Sequence, residues 1–314
     1  MSSSTSSFKA LAFPLVIAAV LFGSLRLLVA VYDRPNWASM GAQALDASTR
    51  IVAMGSSRIF FGLDPRQMPR ATVNLSVNYL DGVSMRRLWR QYRDRVPNVD
   101  TVIAELCVVN LKFDTMRINP KGLRDLGVDI VPGPRDFLTH FDGAVRRLLL
   151  PVFTWRLTPE FYRMNAALDA PGREPMAAVP GFVPTTVRMA FPEDFGRRRV
   201  AYFQREMQAF RDDVVAANID AYKAMIGELN AAGKRVVLIR FPIYQPVYHL
   251  YPTDWVAEID RTLKALRADP TLKFEFWDEH AYQGVTPELF RDPEHLNAAG
   301  AGAFTRYVAA RLGP

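Results

Sequence analysis

"IVAMGSSRIF", residues 51 to 60, sets a run of strand-forming residues against an abrupt Gly55 and two consecutive hydroxyls, Ser56 and Ser57. A short apolar run halted by glycine reads as a buried strand. "ATVNLSV" (71–77) and "DTVIAELCVV" (100–109) repeat that pattern, the latter nearly continuous in its hydrophobicity, as in strands covered on both faces. Between them, "SMRRLWRQYRDRV" places Met85, Leu88, Trp89 and Tyr92 at helical spacing, with Arg86, Arg87, Arg90 and Arg93 as a solvated face. "KRVVLIRFP" is a fourth strand, preceded by a long helical stretch that ends at Gly233 in the manner of a C-cap. A helix over "DWVAEIDRTLKALRA", opened by Thr253 or Asp254 as N-cap, leads to a fifth strand, "KFEFWD", and "NAAGAGAFTRYVAARL" closes the chain as a helix. Strands alternating with helices predict an α/β fold: a three-layer α/β/α sandwich around a mainly parallel five-stranded sheet.

The 314 residues, 49% hydrophobic, are ample for a large core and rule out disorder as the default state. Lys plus Arg number 39 against 32 Asp plus Glu, and the charges are interspersed, which speaks against nucleic acid and leaves an anionic polymer or membrane surface as partners of a basic exterior. A single cysteine, Cys107, lies in an apolar run and reads as a small buried hydrophobe; with one cysteine no intramolecular disulfide forms.

Ahead of the α/β part, Ala10 to Val31 is apolar except for Arg26. As a helix it would rise ~33 Å, enough for a hydrocarbon core of ~30 Å. No small-residue cleavage site follows, so residues 1–32 are expected to form an uncleaved membrane anchor, 33–49 a linker and 50–314 the α/β domain. The expected orientation puts the bulk of the chain on the periplasmic or extracytoplasmic side. From residue 112 to about 199 the alternation fails in a stretch rich in Pro, Gly and Arg, read as a long insertion of the kind that serves as a lid or binding element.

Phosphate-binding loops are absent by spacing: "GELNAAGK" (227–234) has five residues between its glycines and precedes a strand, and "GAGAFT" from Gly300 lacks a third glycine. Asp278, His280, Asp292 and His295 are metal-ligand types without a metal-site spacing, so neither metal nor other cofactor is expected. What remains is the hydroxyl pair after the first strand and "FRDPEHLNAAG" (290–300), where Asp292 stands three residues before His295. A serine becomes a nucleophile when an imidazole takes its proton, and the imidazole does so best when a carboxylate fixes its tautomer. Each piece alone has a plainer reading, the serines as helix cap and "DPEHLN" as the entry to the last helix; their conjunction in an α/β chain favours a triad.

These two blocks resemble those of the SGNH hydrolases, also called GDSL-type esterases. The resemblance covers the sheet regions, 50–111 and 234–312. "GSSR" is similar to the family's first block, which implies Ser57 as nucleophile and puts Ser56 where aspartate usually stands; "DPEHLN" is similar to the last, which implies Asp292 as orienting acid and His295 as base. "VNLSVNYLDG" resembles the second block with Ser76 in the glycine position, implying that the amides of Ser57 and Ser76 bind the oxyanion, flanked by Asn74 and Asn78. The third block is absent, and Asn110 is the nearest stand-in for its asparagine. Arg58 either pairs with an acid of the fold or, with Asn78, meets substrate. An anchored member implies a serine esterase or O-acyltransferase acting on an exported or cell-surface carbohydrate polymer, beside a membrane-embedded acyl donor, as in teichoic-acid D-alanylation and alginate acetylation. The alternative is a non-catalytic glycan-binding or scaffolding subunit of such an assembly.

Overall fold

Apolar residues facing alternately up and down each short strand are what hold the five strands between two helical layers. The computed structural model describes residues 41–128, 182, 196–198, 200–201, 204 and 212–314, all within the compact unit Trp37–Pro314. The expected anchor, the first part of the linker and most of the 112–199 insertion lie outside the described residues. Among those described, no helix is long and apolar enough to cross a membrane.

Strands β1 (Ile51–Met54), β2 (Thr72–Asn74), β3 (Thr101–Glu105), β4 (Arg235–Arg240) and β5 (Glu275–Asp278) form one sheet in the order β2-β1-β3-β4-β5. Every pairing is parallel. Odd-numbered Ile51, Ala53, Ile103, Val237 and Ile239 face one layer, while Val52, Met54, Val102, Ala104, Val236 and Leu238 face the other, as a period of two requires. Helices α1 (Ser57–Gly62) and α6 (Ala298–Leu312) cover the first face, and α2 (Gly82–Tyr92), α4 (Asp212–Ala231) and α5 (Thr253–Arg267) the second. The α/β/α sandwich with a five-stranded sheet is thus observed.

Several details depart from the sequence reading. The apolar run after β3 is not all strand: Glu105 ends it and Val108–Lys112 is a short helix, α3. The first part of the supposed insertion is helical, at Thr115–Ile118 and Pro120–Asp125. Neither Thr253 nor Asp254 caps α5, whose N-cap is Pro252. Arg86 and Arg90 on α2 are not simply solvated, because both bind the carboxylate of Glu228 on α4. "DPEHLN" is a tight antiparallel hairpin of β6 (Phe290–Asp292) and β7 (His295–Leu296) rather than a loop.

Gly233 has φ 68, the left-handed geometry read for it. Asn297 caps α6 by accepting from the Gly300 amide at 3.0 Å.

Candidate active site

In a 2-1-3-4-5 sheet the chain leaves β1 and β3 in opposite senses, opening a crevice at their carboxyl ends where ligands bind. Gly55, Ser56 and Ser57 leave β1 at that point, and Glu105 ends β3 beside them. A Cβ on Gly55 would lie 2.6 Å from the Glu105 Cβ, so the absence of a side chain is what lets the two strand ends come together. The Glu105 carboxylate then accepts from the Ser56 amide at 2.6 Å. Ser56 is the N-cap of α1 and its Oγ accepts from the Arg58 amide at 3.4 Å, leaving Ser57 as the first helical residue, half-buried.

Ser57 Oγ lies 2.7 Å from His295 Nε2. His295 Nδ1 lies 2.7 Å from both oxygens of Asp292, its cross-strand partner in the β6–β7 hairpin. The Glu294 amide donates to Asp292 Oδ1 at 3.0 Å, which helps fix the carboxylate. Serine and imidazole, 238 positions apart, therefore meet in a hydrogen-bonded line with the carboxylate behind. The edge of the Phe61 ring packs on the imidazole with centroids 5.3 Å apart, and the Arg291 guanidinium lies over Phe61 at 4.5 Å. A triad of this kind can deprotonate its serine for attack on a carbonyl.

The remaining predicted residues fall differently. Arg58 is 4% exposed and does not meet solvent; of its two readings, the internal pairing holds. Its guanidinium reaches Glu294 Oε1 at 3.0 Å, Glu105 Oε1 at 3.5 Å and Cys107 Sγ at 2.9 Å. Burial opposes its charge, but Cys107, Tyr251, Glu294 and Glu105 outweigh it and hold the guanidinium well above its ordinary pKa. Burial, reinforced by Glu105, pushes the Cys107 thiol up, so it is no rival nucleophile. A cavity of about 20 Å³ borders Arg58, Cys107, Tyr248 and Tyr251, room for a water rather than an acyl chain.

Asn110 closes the turn into α3: its Oδ1 accepts from the Cys107 amide at 2.9 Å and its Nδ2 donates to the Leu80 carbonyl at 2.6 Å. That accounts for its burial without an oxyanion role. Ser76 is fully buried. Leu75 and Val77 donate from either side of it to Ala53 and Gly55 of β1, so by the alternation of a parallel ladder the Ser76 amide points the other way, off the edge of the sheet. Asn74 holds α1 in place by donating to the carbonyls of Ile59 and Leu63, while Asn78 is exposed. Next to it, Tyr79 has φ 64 and is the one non-glycine in the left-handed region among the described residues. Such backbone persists where its surroundings force it and clusters at functional sites. No residue-type signal marks it in the sequence.

Asp278 and His280 pair separately, at 2.6 Å. Among the described residues no three His, Cys, Asp or Glu side chains gather as a metal site.

No family model matches the chain, and no curated protein matches it. A solved structure from Streptococcus pneumonia, provisionally described as a platelet activating factor, is similar to it at 11% identity. The match covers 95% of this chain and 99% of that one with a TM-score of 0.41, a likeness too loose to carry an activity across.

Proposed function

We propose that the protein is a serine-dependent hydrolase or acyltransferase acting on an ester. The observation that carries this reading is the line Ser57 Oγ–His295 Nε2 at 2.7 Å with both oxygens of Asp292 at 2.7 Å from Nδ1. Ser57 Oγ attacks the ester carbonyl while its proton passes to His295 Nε2; Asp292 holds the tautomer and steadies the imidazolium. The carbonyl electrons go to oxygen, and the Ser57 amide, at the open end of α1 with no acceptor among the described residues, is placed to receive the anion. As the tetrahedral adduct collapses, the C–O bond breaks and His295 returns its proton to the leaving alkoxide. A water or a sugar hydroxyl, deprotonated in turn by His295, then attacks the acyl carbonyl; the bond to Ser57 Oγ breaks and His295 returns the proton to that oxygen.

The finer reading is that the acyl group sits on an exported carbohydrate polymer and that residues 1–32 anchor the enzyme beside the membrane, with the α/β domain on the extracytoplasmic side. Its support is the run from Ala10 to Val31, apolar but for Arg26, and the resemblance of "GSSR" and "DPEHLN" to SGNH blocks. A scaffolding subunit has no use for an aligned serine, imidazole and carboxylate, which is why the enzyme is preferred.

A fluorophosphonate probe tests the reading on the full chain in detergent. Labelling is expected in the wild type and in Ser56→Ala and is expected to vanish in Ser57→Ala. A folded wild type that takes no label refutes it. A C-terminal topology reporter active in the cytoplasm would refute the outward orientation alone.

A further inference from the structure

A buried guanidinium one residue after the nucleophile is costly to place, and its partners show what it connects. Arg58 belongs to the serine turn, and Glu294, which takes its NH2 at 3.0 Å, sits between Asp292 and His295. The same Glu294 donates its amide to Asp292, so one residue grips the orienting acid with its backbone and the serine turn with its side chain. Tyr251 adds a hydroxyl hydrogen bond to Glu294 Oε1. On the other side Glu105 receives both the Ser56 amide and Arg58 NH1, tying the same turn to the end of β3. Side-chain exposures of 4%, 0% and 2% for Arg58, Glu105 and Glu294 shield this network from bulk solvent.

Resting on the reading of Ser57 as nucleophile, we propose that Arg58 is a positioning residue: through Glu294 it clamps the Asp292–His295 hairpin onto the Ser57 turn and thereby sets the serine–imidazole distance. The two halves of the triad, Ser57 and His295, lie 238 residues apart with no strand pairing between their segments: β1 lies in the five-stranded sheet, and among the described residues β6 pairs with β7 alone. Packing of α1 on α6 and on β7 holds the segments roughly. Apolar contacts are non-directional and tolerate sliding, whereas a charge-assisted bond from a planar guanidinium fixes direction as well as distance. A misplacement of ~1 Å is enough to cost on the order of 10²-fold in rate.

The test uses the full chain carrying Arg58→Met, Arg58→Lys or Glu294→Gln, scored per folded molecule by near-UV circular dichroism. Fluorophosphonate labelling of Ser57 is followed against pH, and crystal structures give the Ser57 Oγ–His295 Nε2 distance. Arg58→Met is expected to label at least about tenfold more slowly, with a displaced pH midpoint and a serine–imidazole distance beyond hydrogen bonding. Arg58→Lys should recover part of the rate by keeping the charge. A merely structural role would lower the folded fraction and leave the rate per folded molecule, its pH midpoint and the distance as in the wild type; that result overturns the proposal. If Arg58→Met does not fold, Glu294→Gln, which keeps an oxygen acceptor and the side-chain shape, must still slow labelling and shift its pH midpoint, and an unchanged profile overturns the clamp. A wild type that is folded but unlabelled removes the catalytic reading, and the distance in the variants still decides whether the clamp exists.

Discussion

Replacing Gly55 by alanine tests the geometry from which the site is built. The new Cβ would stand 2.6 Å from Glu105 Cβ, 2.8 Å from its Oε2 and 2.8 Å from Ile59 Cδ1. Carbon atoms in contact prefer about 3.5–4.0 Å, so the first clash alone is ~1 Å too close. Because Glu105 Cβ is fixed to the backbone of β3, relief must come from moving the strand ends apart rather than from turning a side chain. Overpacking of this kind costs about 1–3 kcal/mol, and stretching the Ser56 amide away from the Glu105 carboxylate, 2.6 Å apart in the native protein, forfeits part of a charge-assisted bond worth about 1.5–3 kcal/mol. A net loss of about 3 kcal/mol follows, and at roughly 2–4 °C per kcal/mol for a large domain the melting temperature falls by about 6–12 °C. Gly233→Ala is the control, since it forces alanine into φ 68 with nothing within 4 Å of the new Cβ; its loss should be ~1–2 kcal/mol with no effect on the serine. Thermal melts followed by circular dichroism, together with labelling rates, read both. A Gly55→Ala protein that melts and labels like the wild type would refute the close-approach argument and with it the assignment of Glu105 as the support under Ser56.

Asp292→Asn should leave the fold intact but lower ester turnover by up to ~10⁴-fold, since the wrong imidazole tautomer would be favoured; loss of less than tenfold would show that Asp292 does not orient His295. Ser56→Asp, which restores the residue usual in the resembled family, would set a second carboxylate against the one that already takes the Ser56 amide, and is expected to lower the melting temperature at pH 7, with recovery in Ser56→Asp/Glu105→Gln. Burial pushes the Glu228 carboxyl up, but its bonds to Arg90 and Arg86 outweigh this and hold it below its ordinary 4.5. The folded form therefore binds its proton less readily than the unfolded chain, so the stabilisation is present above pH 4.5 and is lost as pH falls through the depressed value. Glu228→Gln should lower the urea midpoint at pH 7, and that difference from the wild type should shrink at pH 3; a constant difference would contradict the assignment.

The sheet was legible because its strands are short apolar runs bounded by Gly, Pro or charge, and the order of helices between them leaves few topologies. Where apolar residues ran on, the sequence misled: "TVIAELCVV" continues beyond Glu105 into α3, and hydrophobicity alone does not separate a short strand from a buried turn of helix. The spacing from Cys107 to Asn110 was the overlooked sign, an amide and a side-chain acceptor three positions apart as at helix starts generally. The β6–β7 hairpin was missed because strands of three and two residues are too short to show a period. Ser57, Asp292 and His295 could be picked out because general acid–base chemistry restricts residue types severely. The supports could not, since Glu105 and Glu294 stand 47 and 236 positions from Arg58 and acquire their meaning only when the chain closes.

Those supports also explain one another. The chain leaves β1 at the reversal point of the sheet, where the backbone amides of a tight turn need an acceptor. Ser56 offers only a hydroxyl, spent on the Arg58 amide, so the acceptor comes from the neighbouring strand as Glu105. A carboxylate with no exposure demands a counter-charge, and Arg58, the second residue of α1 with its guanidinium buried, supplies it. One guanidinium has more donors than one carboxylate can use, and its second terminal nitrogen is directed at Glu294. That last bond reaches the hairpin that carries the imidazole. Glycine at 55, glutamate at 105, arginine at 58 and glutamate at 294 are therefore successive answers to the requirement set at the end of β1, and the alignment of Ser57 with His295 is where the sequence of answers ends.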